Sequence, residues 1–291
     1  MSEPKKHHFS PVFYLKWWCN SDSEIVEYSR PYRDIDTRTV SPEATGFKHF
    51  LYTLDGVSDD QKQVIEKNYM STAVDNPAAI AMKILIERDK TKLTEKARSD
   101  WTRFLMASWL RRPQAVSEAI KTFTGVMEKN LNADPENYKH LKEGDPATPF
   151  EWIQQNYPHL ASNAGKSSMM ECIEDQKIGN TIINMNWSTV DLHKSKHSLL
   201  TSDSPTLRTA GLKEQNCLIA LPLSPRFLFI ATHDKKIESA FLAQGETLIA
   251  KFINDNVVRA AEKYAYAQTD RYLRFVENRL CIPGSTRSSV I

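Results

Sequence analysis

Two adjacent histidines, His7 and His8, open the stretch HHFSPVFYLKWW at residues 7–18, and an aspartate, Asp203, stands in the run TSDSP at 201–205. An imidazole hydrogen-bonded to a carboxylate has a defined tautomer and titrates near neutral pH, which suits it to acid–base work. If the first stretch packs against the run at 201–205, either histidine could approach Asp203, and Arg112 could hold an anion beside them. The catalytic candidates are therefore His7, His8, Asp203 and Arg112, and the chemistry is that of a hydrolase or nuclease-like enzyme. Successive side chains on a strand point to opposite faces, so one histidine would face a cleft while its neighbour packs, and the two would not share a metal. Tyr14, Ser202 and Asn256 are candidate binding residues.

Each of these has a structural alternative. Asp203 can accept from amides one or two residues on and make a turn before Pro205. Arg111 and Arg112 fall at the end of an expected helix, where a cation is favourable beside the last carbonyls. Asn256 lies on an apolar helical stripe, so burial would oblige it to bond a backbone group of the sheet or of the first segment.

Other signatures are missing. The segment DLHKSKH at 191–197 has histidines four apart but no HExxH glutamate and leads into a strand, so no metal site is expected. Ser224 is not in a GxSxG elbow, and the sequence holds neither a Walker loop nor GxGxxG, so no nucleotide or dinucleotide motif points to a cofactor. Cys19, Cys172, Cys217 and Cys281 are scattered without CxxC spacing and read as free thiols.

The elements that must position these residues follow from pattern. Pro11 denies a backbone donor, so residues 9–18 are expected as an edge strand or an irregular extended piece, paired in a hairpin with a strand at 25–28. Residues 29–46 read as a polar loop. A helical region covers 58–160: Ser58 and Gln61 have capping-box spacing, Asp75-Asn76-Pro77 punctuates the first helix, Thr94 caps another, Pro113 opens the next, and Thr148 with Glu151 forms a second capping box. Residues 178–233 are β-rich, with strands expected at 181–187, 198–201, 217–221 and 226–232. Residues 237–280 return to a helical stripe that includes Tyr264 and Ala265, which Gly245 could divide. The tail at 282–291 reads as a loose end.

The expected architecture is α+β over residues 7–280 as one domain: an N-terminal extended hairpin (within 7–54) joining a C-terminal antiparallel sheet, a central helical bundle, and long C-terminal helices. Apolar residues at 41% and charged ones at 25% suit a globular protein, and a net charge of +2 gives no global pull toward nucleic acid. No apolar run near twenty residues and no leader pattern occurs, so a membrane partner is not expected and the cytoplasm is the default location.

The chain also resembles the bacterial domain-of-unknown-function family 4238. Residues 7–18 are close to its HHYVPxFYLxxF opening, with Phe9 and Ser10 in place of Tyr-Val. Leu51-Tyr52 is similar to its Phe-Tyr, and Phe104 to Pro113 to a helix ending in an Arg-x-Pro element. Residues 201–205 match its TSDxP, residues 221–225 its PLSP strand entry, and Asn256 with Ala261 its final helix. The resemblance implies positions and no activity. Two functions stay open: an enzyme with a His/Asp pair, or a non-catalytic module that binds protein or nucleic acid through the N-terminal aromatics.

Overall fold

A computed structural model describes residues 5–133 and 144–281; the tail at 282–291 lies outside the described residues. The N-terminal strands are β1 (Lys6–His8), β2 (Ile25–Ser29), β3 (Asp36–Val40) and β4 (Phe47–His49). β1 pairs antiparallel with β4 alone, placing His7 opposite Lys48 and His8 opposite Phe47. The N-terminal hairpin that joins C-terminal strands is β2–β3, in a sheet of order β3-β2-β10-β6, where β6 is Thr201–Ser202 and β10 is Tyr264–Ala267. The loop expected at 29–46 therefore contains a strand.

Residues 9–18 are not extended. Pro11 stands just before a helical turn, α1 (Val12–Leu15), and a 3₁₀ turn follows at Lys16–Trp18. At a helix start the missing N–H of proline costs nothing, and the carbonyl of Pro11 accepts from the amides of Tyr14 and Leu15. Tyr14, Leu15 and Trp18 then fall on one face and are buried. With aromatic or aliphatic residues at nearly every position, period two and period 3.6 could not be told apart.

The helical part comprises α2 (Asp59–Lys62), a π-helical segment (Ile65–Asp75), α3 (Asn76–Glu87), α4 (Glu95–Leu110), α5 (Pro113–Leu131), α6 (Pro149–Asn156), α7 (Leu160–Ile173) and α8 (Gln176–Ile183). Thr94 and Thr148 cap as their sequence contexts imply, Thr148 within a complete capping box. Ser58 is the N-cap of α2 but its side chain makes no capping bond. The chain does not break at Asp75-Asn76-Pro77; the π turns run straight into α3, and Pro77 falls in the first α turn, where it has least to lose. Residues 181–183 finish α8, so the strand expected at 181–187 begins only at Asn186.

The third sheet has order β5-β9-β8-β7, from Asn186–Asp191, Phe227–Thr232, Leu218–Pro222 and Leu207–Arg208. Its central strands bury both faces. Ile219, Leu221, Phe229 and Ala231 join the largest core, with Trp101, Phe104, Leu105 and Tyr14. The alternate residues Leu218, Ala220, Leu228 and Ile230 pack under α9 (Lys235–Leu242) and α10 (Glu246–Ala260). Strands covered on both faces read as continuous apolar runs, as these do. Each large apolar side chain so buried contributes roughly 1.5–3 kcal/mol. Gly245 separates α9 from α10 with φ +82°, a backbone conformation that favours glycine. The stripe then fails: Ala261 turns extended, and Tyr-Ala-Tyr-Ala at 264–267 is β10, followed by α11 (Leu273–Glu277).

Candidate functional site

The polar centre of the molecule is built around Arg111, at the C-terminal end of α4. Its guanidinium turns inward and is 1% exposed, in a bidentate pair with Asp75: Nη1 to Oδ1 at 2.7 Å and Nη2 to Oδ2 at 3.0 Å. Nη2 also donates to the carbonyl of His8 at 2.9 Å, and the Tyr52 hydroxyl donates to the carbonyl of Arg111. One arginine thus ties together β1, the end of α4, the segment after β4 and the π-helical segment. A planar guanidinium can make such a fork; an ammonium cannot.

Glu66 and Asp75 both act on Arg111, although they are nine residues apart on one helical segment. In an α-helix nine residues make two and a half turns at 3.6 residues each, putting the pair on opposite faces. The wider π turn, with its i→i+5 bonds, brings the same interval close to two full turns. The π geometry is therefore what lets two carboxylates face one guanidinium. Burial pushes the Glu66 carboxyl up to about 7; Arg111 opposes this and Asp75 adds to it. Burial also lowers the His8 pKa below 6.5. A backbone hydrogen bond at Glu43 opposes that shift, and the charges of Arg111 and Lys6 reinforce it.

Three polar atoms of this cluster have no hydrogen-bond partner among the described residues: His8 Nε2, Glu66 Oε2 and Arg111 Nε. His8 and Glu66 are half-buried as residues, while these three atoms are themselves closed off from solvent. With Nε2 unpartnered, the bond at Glu43 falls to Nδ1 and leaves Nε2 as the free, basic nitrogen. A neutral imidazole nitrogen, a carboxyl that holds its proton to about pH 7 and a fixed cation can together move a proton and steady an anion.

The other residues singled out in the sequence lie elsewhere or are engaged. His7 is fully buried; its Nδ1 accepts from the Tyr52 amide at 2.9 Å and its ring stacks on Tyr52. Asp203 is 2% exposed and accepts from three successive amides, those of Glu262 (2.7 Å), Lys263 (2.7 Å) and Tyr264 (3.0 Å). It clamps the start of β10 to β6. Burial pushes its pKa up to about 6 against the pull of those amides. The charges that act on His8 are those of Arg111, Lys6 and Asp75, and those on Asp203 centre on Glu262, so the structure gives these two residues different partners. β1 pairs with β4 and not with the late strands, so the pairing on which the expected approach depended is not formed. Arg112 donates to Glu262 Oε1 at 2.6 Å, linking α4 to the Asp203 clamp.

Tyr14 is fully buried, with its hydroxyl on Thr201 Oγ1 (2.7 Å) and the Pro222 carbonyl (2.8 Å). Ser202 Oγ accepts from the Ser204 amide. Asn256 donates to Phe252 O of its own helix; the bridge to the sheet expected of it is made by Asn254, which accepts from the Leu200 amide and donates to Ser198 O. No group of three or more His, Cys, Asp or Glu that could hold a metal occurs among the described residues, and no helix there is long and apolar enough to cross a membrane.

Glu66 was not among the sequence candidates, and Asp75 figured only as punctuation. One signal was available. The buried residues of the π segment are Ile65, Met70 and Val74, spaced five and then four, which is the period of the wider helix. An α-helical period counted from Ile65 would instead bury Thr72, seven residues on, which is exposed.

An α+β protein with a buried, arginine-centred cluster of ionisable side chains is what the fold and the site define. The chain belongs to the family described as "Protein of unknown function (DUF4238)", whose sequence pattern matches residues 6–271. No curated protein and no solved structure matches it.

Proposed function

We propose that the protein is a hydrolytic enzyme whose acid–base centre is His8, Glu66 and Arg111. The observation that carries this is that His8, Glu66 and Arg111, coupled through charge and backbone hydrogen bonds, each keep a buried polar atom (Nε2, Oε2 and Nε) without a hydrogen-bond partner among the described residues. Buried polar atoms are normally satisfied, and the exceptions call for an explanation. Here the explanation is a substrate ester. His8 Nε2 takes a proton from water, whose oxygen attacks the carbonyl or phosphoryl centre. Glu66 gives its proton to the departing oxygen as the ester bond breaks, and Arg111 steadies the anionic oxygen that develops. Asp75 holds the guanidinium in place. In this reading His7, Asp203 and Arg112 position the elements and do not touch substrate.

The alternative of a binding module resting on the N-terminal aromatics has less support. Phe9, Tyr14 and Trp18 are buried, and only Trp17 of residues 9–18 is an exposed large apolar side chain.

A panel of p-nitrophenyl carboxylic, phosphomonoester and phosphodiester substrates tests the reading. The His8→Ala and Glu66→Gln proteins should lose about 10²–10⁴-fold in kcat/KM on the substrate that turns over. Activity should rise as His8 deprotonates below pH 6.5 and fall as Glu66 ionises near pH 7, and Glu66→Gln should abolish the alkaline limb. Wild-type protein inert to the whole panel, or a folded His8→Ala protein with full activity, would overturn it.

A further inference from the structure

A second site lies on the other side of the late sheet and does not depend on the His8 cluster. Between the 192–198 loop, α10 and the segment 271–279 is an open cleft of about 850 Å³. Small-molecule sites commonly measure about 300–1,000 Å³. Its charge is one-sided. Lys196, Lys251 and Arg271 line it, and none of the three has a carboxylate partner among the described residues; Arg271 bonds the Ser198 and Tyr272 hydroxyls. Asp255, the acidic residue of the lining, is engaged by Arg259 at 2.9 Å and Arg279 at 2.5 Å. His197 feels the imbalance: burial first, then the charges of Lys251, Arg271 and Lys196, hold its ring below the ordinary histidine pKa.

The same cleft offers aromatic surface. Phe252, one helical step from Lys251, is 39% exposed, and Phe275 is half-buried with the Arg279 guanidinium 3.8 Å from its ring centre. Three uncompensated cations ask for a polyanion, and an exposed ring beside them asks for a planar or apolar body on the same ligand.

We propose that this cleft binds a nucleotide, with its phosphates on Lys196, Lys251 and Arg271 and its base against Phe252. The phosphates are held by side-chain cations, which accounts for the absence of a glycine-rich loop from the sequence. A base on the Phe252 ring is a stacking contact that any nucleobase can make, so the site reads the class of ligand more than the identity of the base.

Calorimetric titration of the full-length protein with ADP, pyrophosphate and adenosine tests this. ADP should bind at least tenfold more tightly than pyrophosphate and than adenosine, and more weakly as salt is raised. The Lys196→Glu/Lys251→Glu double variant should weaken ADP binding at least tenfold, while Lys121→Glu, an exposed charge reversal on α5, should not. Phe252→Ala should weaken ADP severalfold and leave pyrophosphate unchanged. Pyrophosphate binding as tightly as ADP, no ADP binding at millimolar concentration, or equal binding by the double variant would each overturn the assignment. So would a short single-stranded oligonucleotide that binds more than tenfold tighter than ADP, because the occupant would then be a nucleic-acid strand.

Discussion

Arg111 and Arg112 are neighbours in the chain, yet their side chains run to two buried polar nodes that are finished differently. Arg112 leads through Glu262 to Asp203, whose two carboxylate oxygens take three amide hydrogens and the job of holding β6 to β10. Arg111 leads to Asp75, His8 and Glu66, where the ion pair is complete but an imidazole nitrogen and a carboxylate oxygen remain unpartnered; each arginine also leaves its own Nε without a partner, so the two nodes differ at the imidazole and the carboxylate. A carboxylate filled by backbone donors is a structural part. A cluster that keeps donors and acceptors in reserve can accept a ligand.

The largest effect should come from the centre of the unfinished node. Arg111→Met leaves Asp75 partly buried without its counter-charge and should cost about 3–5 kcal/mol in chemical denaturation. Arg111→Lys should recover only part of that, since an ammonium cannot make the two-pronged contact. Near-complete recovery by lysine would mean that charge alone matters there and that the fork geometry does not.

The finished node should respond somewhat less. Asp203→Asn turns one acceptor into an N–H donor facing backbone N–H groups and should cost about 2–3 kcal/mol. Under the proposed function, the loss should come without a selective change in kcat/KM on the ester substrate that turns over. A folded Asp203→Asn protein with intact stability and abolished turnover would reverse the roles given to the two nodes.

The subtlest test is the pH dependence of stability at Glu66. Its folded pKa, about 7, lies above the ordinary carboxyl value of 4.5. Its contribution to stability is therefore fully present below pH 4.5 and is lost as pH rises through 7. Glu66→Gln removes that titration. The variant should gain on the wild type between pH 4 and pH 8, by up to roughly 3 kcal/mol in urea denaturation followed at both pH values. A constant difference across that range would show that Glu66 titrates normally in the folded protein.

Much of the fold was legible because local chemistry decides it. Thr94, Thr148 with Glu151, and Pro113 mark helix starts through bonds made within a few residues, and Gly245 marks a break through its own backbone freedom. The apolar runs at 218–221 and 227–231 announce strands buried on both faces. The YAYA strand at 264–267 was less legible, because alanine and tyrosine also suit a helix and only pairing with β2 and β6 selects the extended form.

The site was legible only in fragments. His8 and the Arg111–Arg112 pair were visible as residue types, and Asp203 was visible as a carboxylate in a turn. Which of them meet depends on contacts across long separations: β1 on β4 instead of on the late sheet, and α4 delivering Arg111 to Asp75. By itself the sequence determined an α+β chain with several of its helix starts, the two central strands of its third sheet and its family. The tertiary structure alone decided that His8 answers to Arg111, Asp75 and Glu66, and that Asp203 answers to the backbone of β10. The physical reason lies in the π-helical turns. Their geometry is a compromise among packing partners, and it is this geometry that sets two carboxylates nine residues apart against one buried guanidinium.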